Sequence, residues 1–270
     1  MEHLNINVYL IVALIGGIVD LDSTAVIQCM ISQPIVAAPL TGLILGSMLG
    51  DYAAGLQLGL MVGVILQLVW IEKLPLGMNV PPDAALASVL SVALGFCAGH
   101  NYSSYAEREV CYTVGLLISV GLGLLGRSLD MFVRRLNTNI DSWVNQKIED
   151  NNFDSIRLGH LIGSFTTFTK AFIFCFLVIW FGVEPLKYFT KMMNIAQSGG
   201  FIVVQGLLPA VGFSVLASMC LKSKTEIIYF IGGIILFTLL PSKIWIGIIA
   251  SFMVMLSYYS KTKNRKKGKK

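Results

Sequence analysis

The sequence predicts an all-α, polytopic membrane protein with roughly eight membrane segments, some of them broken or re-entrant, laid out like a transporter. Three observations lead there. Of 270 residues, 55% are apolar and only 13% charged, where an average soluble domain carries about 25% charge, and the mean hydropathy is +0.74. Uncharged runs of membrane-crossing length recur, among them 52–71, 84–106 and 192–221. Between the first two lies a polar, proline-broken stretch in which Gln67, Asn79 and Asp83 gather around Pro75, Pro81 and Pro82. Proline lacks an N–H and stops a helix, so backbone carbonyls are freed where side-chain acceptors already cluster. Non-helical backbone at membrane depth persists only where protein or a water-filled cavity satisfies it, as in the broken helices of transporters.

Charge and cysteine usage exclude other classes. The formal charge of +5 comes from the tail, where Lys261, Lys263, Arg265, Lys266, Lys267, Lys269 and Lys270 fall. Without it the chain is slightly acidic and keeps no basic face for nucleic acid. Cys29, Cys97, Cys111, Cys175 and Cys220 have no CxxC spacing and sit in apolar runs, so they read as small buried hydrophobes. No GxSxG or HExxH occurs, and His3, His100 and His160 lie far apart. No hydrolytic, redox or metal chemistry is therefore expected of the chain. No basic segment precedes the first apolar run, and Glu2 is acidic, so a cleaved signal peptide is not expected.

Taken in order, Val8–Val19 is shorter than the roughly 20 residues a spanning helix needs and ends at Asp20-Leu-Asp22-Ser23-Thr24, which predicts a half-helix or re-entrant arm. Its carboxylates, Asp22 among them, would face a ligand or cap the next helix. From Ser23 to Gly50 no charge appears, but Gln28, Gln33, Pro34 and Pro39 interrupt the run. Gly42, Gly46 and Gly50, then Gly55, Gly59 and Gly63, recur at four-residue spacing on either side of Asp51. Two small-residue stripes predict a tightly packed helical hairpin. A span over 84–106 ends at His100, Asn101, Tyr102 and Tyr105, read as an interfacial belt. Val110–Gly126 returns with glycines at 115, 121, 123 and 126. Residues 127–160 mix charges with apolar positions at helical spacing and predict an amphipathic helix, on the membrane surface or as an arm against a neighbour, broken at Asn151-Asn152.

Leu161–Val183 is a further span, its Lys170 expected to snorkel toward an end, and Glu184-Pro185 is expected to close it. Ser198-Gly199-Gly200 and Gln205 to Pro209 are expected to split the next run, echoing the break around Gln28 and Pro34. Two last spans, Ile227–Leu240 and Ile244–Tyr259, precede a basic tail that the positive-inside bias places in the cytoplasm. The domain reading is one membrane domain over 1–260, its amphipathic connection at about 127–160, with a basic cytoplasmic tail at 261–270.

A sugar site needs short polar side chains of fixed direction, an acid for paired hydroxyls and an aromatic floor. Gln67, Asn79 and Asp83 meet the first two requirements and Trp70 the third, with Gln28 and Asp22 as further candidates from the first break. Asp83 could equally cap the helix beginning at Ala84, and the two roles are compatible.

Three blocks carry a family resemblance: QPIVAAPLTGLILG at Gln33–Gly46, PPDAALASVL at Pro81–Leu90 and GLLPAVGFSVLA at Gly206–Ala217. In residues and in order they resemble enzyme IIC of the mannose/fructose/sorbose family of the bacterial phosphotransferase system, over nearly the whole chain. The resemblance implies a subunit of the bacterial cell membrane that binds and moves a hexose or amino sugar, with no cofactor and no catalytic residue. Histidines or cysteines of the soluble enzymes IIA and IIB would carry the phosphoryl group. It also implies a second membrane subunit, enzyme IID, a symmetric oligomer in contact with lipid, and an elevator-like moving domain. Mannose-type members carry a glutamate near the position of Gln67, and this chain inserts Glu72-Lys73, so the identity of the sugar stays open. The other readings are a stand-alone channel or secondary transporter of the same fold, and a structural scaffold, which would leave the broken polar stretch unexplained.

Overall fold

The computed structural model describes residues 5–24, 28–71, 80–192 and 195–239. Among them the chain is helical: α1 Ile6–Thr24, α2 Pro34–Leu49, α3 Tyr52–Val69, α4 Ala84–Gly99, α5 Tyr105–Glu149, α6 Asp154–Met192, α7 Ile195–Cys220 and α8 Lys224–Leu239. The helices α1, α3, α5, α6 and α7 are long and apolar enough to cross a membrane, while α2, α4 and α8 are shorter apolar helices. Two compact units divide the chain, Met1–Leu216 and Ala217–Lys270. The expected Ile244–Tyr259 span and the 261–270 tail fall outside the described residues, as do Glu72, Lys73, Pro75 and Asn79.

The first unit is built around α4. Apolar on every side, α4 buries all residues from Ala85 to Gly99, and α1, α2, α3, α5 and α6 pack against it. A helix apolar all round is a core helix, and at 16 residues it measures about 24 Å, short of the roughly 30 Å hydrocarbon core. It ends at Gly99, before the expected belt. In the turn that follows, the Tyr102 hydroxyl donates to the Lys187 carbonyl at 3.2 Å, while Tyr105 lies exposed at the start of α5.

The glycine stripes of α2 and α3 meet as expected. A Cβ on Gly59 would stand 2.6 Å from the Ala38 carbonyl oxygen, one on Gly63 2.8 Å from that of Pro34, and one on Gly42 would overlap the Gly55 carbonyl. Gly50 closes α2 at φ +82°, and Asp51 caps α3 by accepting the Ala54 N–H at 3.1 Å. On α5 the expected stripe is partial. Gly115 and Gly123 lie against α4 and Gly126 against Asp83 just before it, whereas Gly121 has nothing within 4 Å.

Several expected breaks are absent. α1 runs unbroken from Ile6 through Asp20 and Asp22 to Thr24, so it is a membrane-length helix and not a half-helix, with Asp20 paired to Lys170 and Asp22 accepting the N–H groups of Cys29 and Ser32. Pro185 does not close α6, and Ser198-Gly199-Gly200 and Pro209 do not split α7. A helix interrupted in lipid exposes backbone groups at several kcal/mol each, so a proline there is carried within the helix. The break at 28–33 does exist, with Gln28 and Met30 at φ +54° and +65°, and the echo of it in the second half does not.

The amphipathic segment is the continuation of the α5 span. With 45 residues in α5 and 39 in α6, these helices reach about 68 and 58 Å and project well past the hydrocarbon as an antiparallel pair. Gly159 of α6 seats against Val144, and Thr166 donates to Asn137 at 2.9 Å. The expected break at Asn151-Asn152 is a Schellman turn: Asn151 is left-handed at φ +61°, and the N–H groups of Asn151 and Asn152 reach the carbonyls of Ile148 and Lys147, each at 2.9 Å. Of the cysteines, Cys97, Cys111 and Cys175 are buried as expected, while Cys29 and Cys220 are exposed because one lies in the 28–33 break and the other at the end of α7.

The second unit holds α8. Ser223 and Glu226 form a capping box, in which Glu226 accepts the N–H groups of Lys222 and Ser223 at 2.7 Å and donates its own to Ser223 Oγ at 3.3 Å.

Candidate functional site

The break after α1 and the start of α4 come together over a cavity of about 170 Å³, bordered by Gln33, Gln67, Trp70, Pro81, Asp83 and Arg134 among others. Each polar wall has a local cause. Gln33 is the N-cap of α2, placed there because Pro34 opens that helix. Gln67, in the last turn of α3, donates from Nε2 to Gln33 Oε1 at 3.1 Å, and its Oε1 lies 3.4 Å from the Ile35 N–H. Trp70 ends α3 with its indole N–H buried and, among the described residues, without a hydrogen-bond partner. Asp83 caps α4, taking the Leu86 N–H on Oδ1 at 2.9 Å, and its own N–H donates to the Gly123 carbonyl at 2.9 Å.

Of the residues expected at the site, the structure thus brings Gln67, Trp70 and Asp83 around one cavity. Asn79 lies outside the described residues. Gln28 borders a second cavity of about 780 Å³ between the α5 and α6 arms, with Asn137, His160 and Thr167. Asp22 borders neither. Its Oδ1 accepts the Cys29 N–H at 2.7 Å and its Oδ2 the Ser32 N–H at 2.9 Å, so it clamps the broken loop. Ser23, Asp130 and Arg134 border both cavities, which places the two side by side. A third cavity, of about 620 Å³ and bordered by Leu60, Met61, Val64, Ile65 and Pro209, is apolar apart from Glu109 and offers nothing to a sugar.

Sequence reasoning missed the charged group beneath the cavity wall. Lys170 does not snorkel. Its side chain is 6% exposed and its ammonium lies 2.7 Å from Asp20, 3.9 Å from Asp83 and in contact with Asp130. Burying an ammonium costs several kcal/mol, and three carboxylates from α1, the start of α4 and α5 offset that cost better than the membrane surface would. The carboxylate oxygens lie within 4.8 Å of one another, a spacing suited to a metal ion, but Lys170 already supplies the cation between them. The available signal was sign: Lys170 is an isolated cation inside an apolar run and Asp20 an acid at the end of one, and intramembrane charges pair.

The family model of the sorbose-specific IIC component of the phosphotransferase system matches residues 6–258. The chain is 24% identical over 232 residues to the fructose permease IIC component of Bacillus subtilis (strain 168), covering 86% of this chain and 78% of that one. It is 21% identical over 254 residues to the mannose-specific EIIC component of Escherichia coli (strain K12), covering 94% and 87%. In fold it is similar to a solved structure titled "Structure of membrane protein", with a TM-score of 0.71 at 19% identity over 96% of this chain and 97% of that one. It is also similar to a chain of the mannose transporter ManYZ in complex with microcin E492, with a TM-score of 0.53 at 20% identity over 96% and 97%. The helical membrane fold, the permease character of these relatives and a match over nearly all its length agree: the chain belongs to the sorbose-specific IIC family of phosphotransferase-system permeases and is a multi-pass membrane transport subunit rather than an enzyme.

Proposed function

We propose that the chain binds a hexose or amino sugar in the cavity between Gln33, Gln67, Trp70 and Asp83 and carries it across the bacterial cell membrane to be phosphorylated by a soluble enzyme IIB charged by enzyme IIA. The observation that carries this reading is the indole N–H of Trp70, buried at the cavity with no partner among the described residues, beside a Gln33–Gln67 pair that offers both donors and acceptors. A sugar hydroxyl satisfies all three. Asp83 joins them as the wall that holds the cavity's shape, and Asn79, from the same broken stretch, is assigned the same sugar-binding role. Gln28 is assigned to the path through the larger cavity and Asp22 to the loop that separates the two. Residues 1–260 act as the permease domain.

Orientation follows from basic residues. The arm end of α5 and α6 carries Arg127, Arg134, Arg135, Lys147 and Arg157, against Arg108, Lys187 and Lys191 at their opposite end, which favours the arms in the cytoplasm. The tail at 261–270 follows the same rule. Enzyme IID is the membrane partner we assign, in a symmetric assembly, with the exposed Ile173, Leu177, Trp180 and Phe181 of α6 turned toward it or toward lipid.

Vesicles bearing this chain and enzyme IID are expected to accumulate labelled sugar as its phosphate when enzymes IIA and IIB and a phosphoryl donor are supplied. Gln67→Leu and Trp70→Phe should each weaken binding by about three- to tenfold, the worth of one neutral hydrogen bond. Accumulation of free sugar without the soluble enzymes would replace this reading by that of a stand-alone carrier, and unchanged affinity in both variants would remove the cavity as the site.

A further inference from the structure

Asp20 of α1, Asp83 at the start of α4, Asp130 of α5 and Lys170 of α6 converge at the cavity wall. Each of the three carboxylates has an oxygen within 4.8 Å of the others. Asp20 and Asp83 are 1% and 7% exposed. The other charged or titratable groups nearby do not balance this group. On α1, Asp22 turns away to the 29–32 loop. On α5, Arg134 borders the cavity and Arg127 follows the glycine that packs on Asp83, yet the only cation in ion-pair range of these carboxylates among the described residues is Lys170. On α6, Cys175 is a buried thiol. The described parts of α2 and α3 bring no charge. Three acids thus face one base.

A second observation fixes where the imbalance is felt. The Oδ1 of Asp83 is engaged by the Leu86 N–H. Its Oδ2 is buried, accepts no hydrogen bond from the described residues and lies 3.9 Å from the Lys170 ammonium. Three carboxylates this close, two of them out of water and Asp130 partly exposed at the cavity, cannot all stay ionised against a single ammonium. A metal ion would have to displace the ammonium that already stands among them, whereas a proton fits with every heavy atom in place.

We infer that the Asp20–Asp83–Asp130–Lys170 cluster is a proton-binding site that holds one proton beyond those of the lysine, on Asp83 Oδ2 and shared with the neighbouring carboxylates. The proton comes from water through the cavity that Asp83 and Asp130 border, and its arrival lowers the cluster's formal charge from two negative to one. Because those two residues also form the cavity wall, occupancy changes the charge beside the bound sugar. That link rests on the sugar reading above, and the proton site does not.

Infrared spectroscopy of the full chain in lipid nanodiscs tests the site directly. At pH 7 the exposed carboxyls are ionised, so a protonated-carboxyl C=O band that shifts in D₂O is expected from the cluster, fading as pH rises and weakened in Asp83→Asn and in Asp130→Asn. No such band in the wild type, or a band untouched in both variants, overturns the site. The link is read from fructose and mannose affinity, which should change by about tenfold across the pH range where the band fades and stay flat in Asp83→Asn. Constant wild-type affinity over that range overturns the link. If neither sugar binds at any pH, it is the sugar reading that fails, and the infrared result still decides the proton site.

Discussion

The α2–α3 hairpin and the Lys170 cluster solve one problem by opposite means. Both bring helices close together in surroundings where lipid tails are as apolar as leucine and water drives little association. In the hairpin side chains are removed: Gly42, Gly46, Gly55, Gly59 and Gly63 let backbones touch, and dispersion does the rest. In the cluster side chains are added, four charged ones from four parts of the sequence, and Coulomb attraction must offset a large desolvation cost. The first contact lies between neighbours in the chain. The second joins positions 20, 83, 130 and 170, and so ties α1, α4, α5 and α6 together at the cavity. Local packing by absence tolerates change outside its stripe, whereas a charge hub with a single base does not tolerate the loss of that base.

The largest expected effect is therefore Lys170→Leu. Removing the cation that Asp20, Asp83 and Asp130 share leaves two buried carboxylates and a partly exposed one facing one another, and breaking a buried pair in this way costs about 3–5 kcal/mol, enough to deplete folded protein altogether. Yield of monodisperse protein and melting temperature in nanodiscs are the measurements. Lys170→Arg keeps the charge with a different donor geometry and should fall between the two. A Lys170→Leu protein that melts like the wild type would show that the cluster is not a hub.

Next in size is the hairpin. Leucine at Gly59 would drive a Cβ to 2.6 Å from the Ala38 carbonyl oxygen, and since backbone cannot yield as a side chain can, the helices must part. Overpacking of this kind costs about 1–3 kcal/mol, and Gly46→Leu should behave alike. The neighbouring Leu60 is 50% exposed, so Leu60→Ala should stay within about 0.5 kcal/mol of the wild type. Equal yields of Gly59→Leu and Leu60→Ala would dissolve the distinction between stripe and lipid face.

The same contrast explains what could be read in the sequence. The glycine stripes of α2 and α3, the Asp83 cap and the break at Asn151-Asn152 are set by residues within a few positions of one another, and spacing alone exposes them. Gln67, Trp70 and Asp83 could be read together because one broken stretch carries them all, and they do border one cavity. Gln33, their fourth wall, was visible only as an interruption, since its partnership with Gln67 spans 34 positions. Pro185 and Pro209 mislead because helix-breaking rules learned in water weaken in lipid, where the broken ends have nothing to bond. Lys170 misleads for the converse reason: alone in an apolar run it reads as a misfit, and its partners lie 40, 87 and 150 positions away.

The smallest effect, and the sharpest test of the three-to-one imbalance, belongs to Asp83. Asparagine keeps an oxygen for the Leu86 N–H, and Asn and Asp are nearly equal as N-caps. It also removes one of three carboxylates while leaving Asp20 and Asp130 on the Lys170 ammonium. Asp83→Asn should therefore melt within a few tenths of a kcal/mol of the wild type, or slightly above it, because asparagine is neutral at every pH where the carboxyl must take up a proton to stay buried. Asp83→Leu loses the cap as well and should fall by about 1 kcal/mol. The order expected from melting temperatures in nanodiscs is Asp83→Asn, then Asp83→Leu, then Lys170→Leu far below. Had the cluster been an evenly balanced salt bridge, losing the acid would hurt as much as losing the base, since either leaves one buried charge unpaired. An Asp83→Asn protein as unstable as Lys170→Leu would establish that balance and end the case for a surplus of negative charge at the cavity wall.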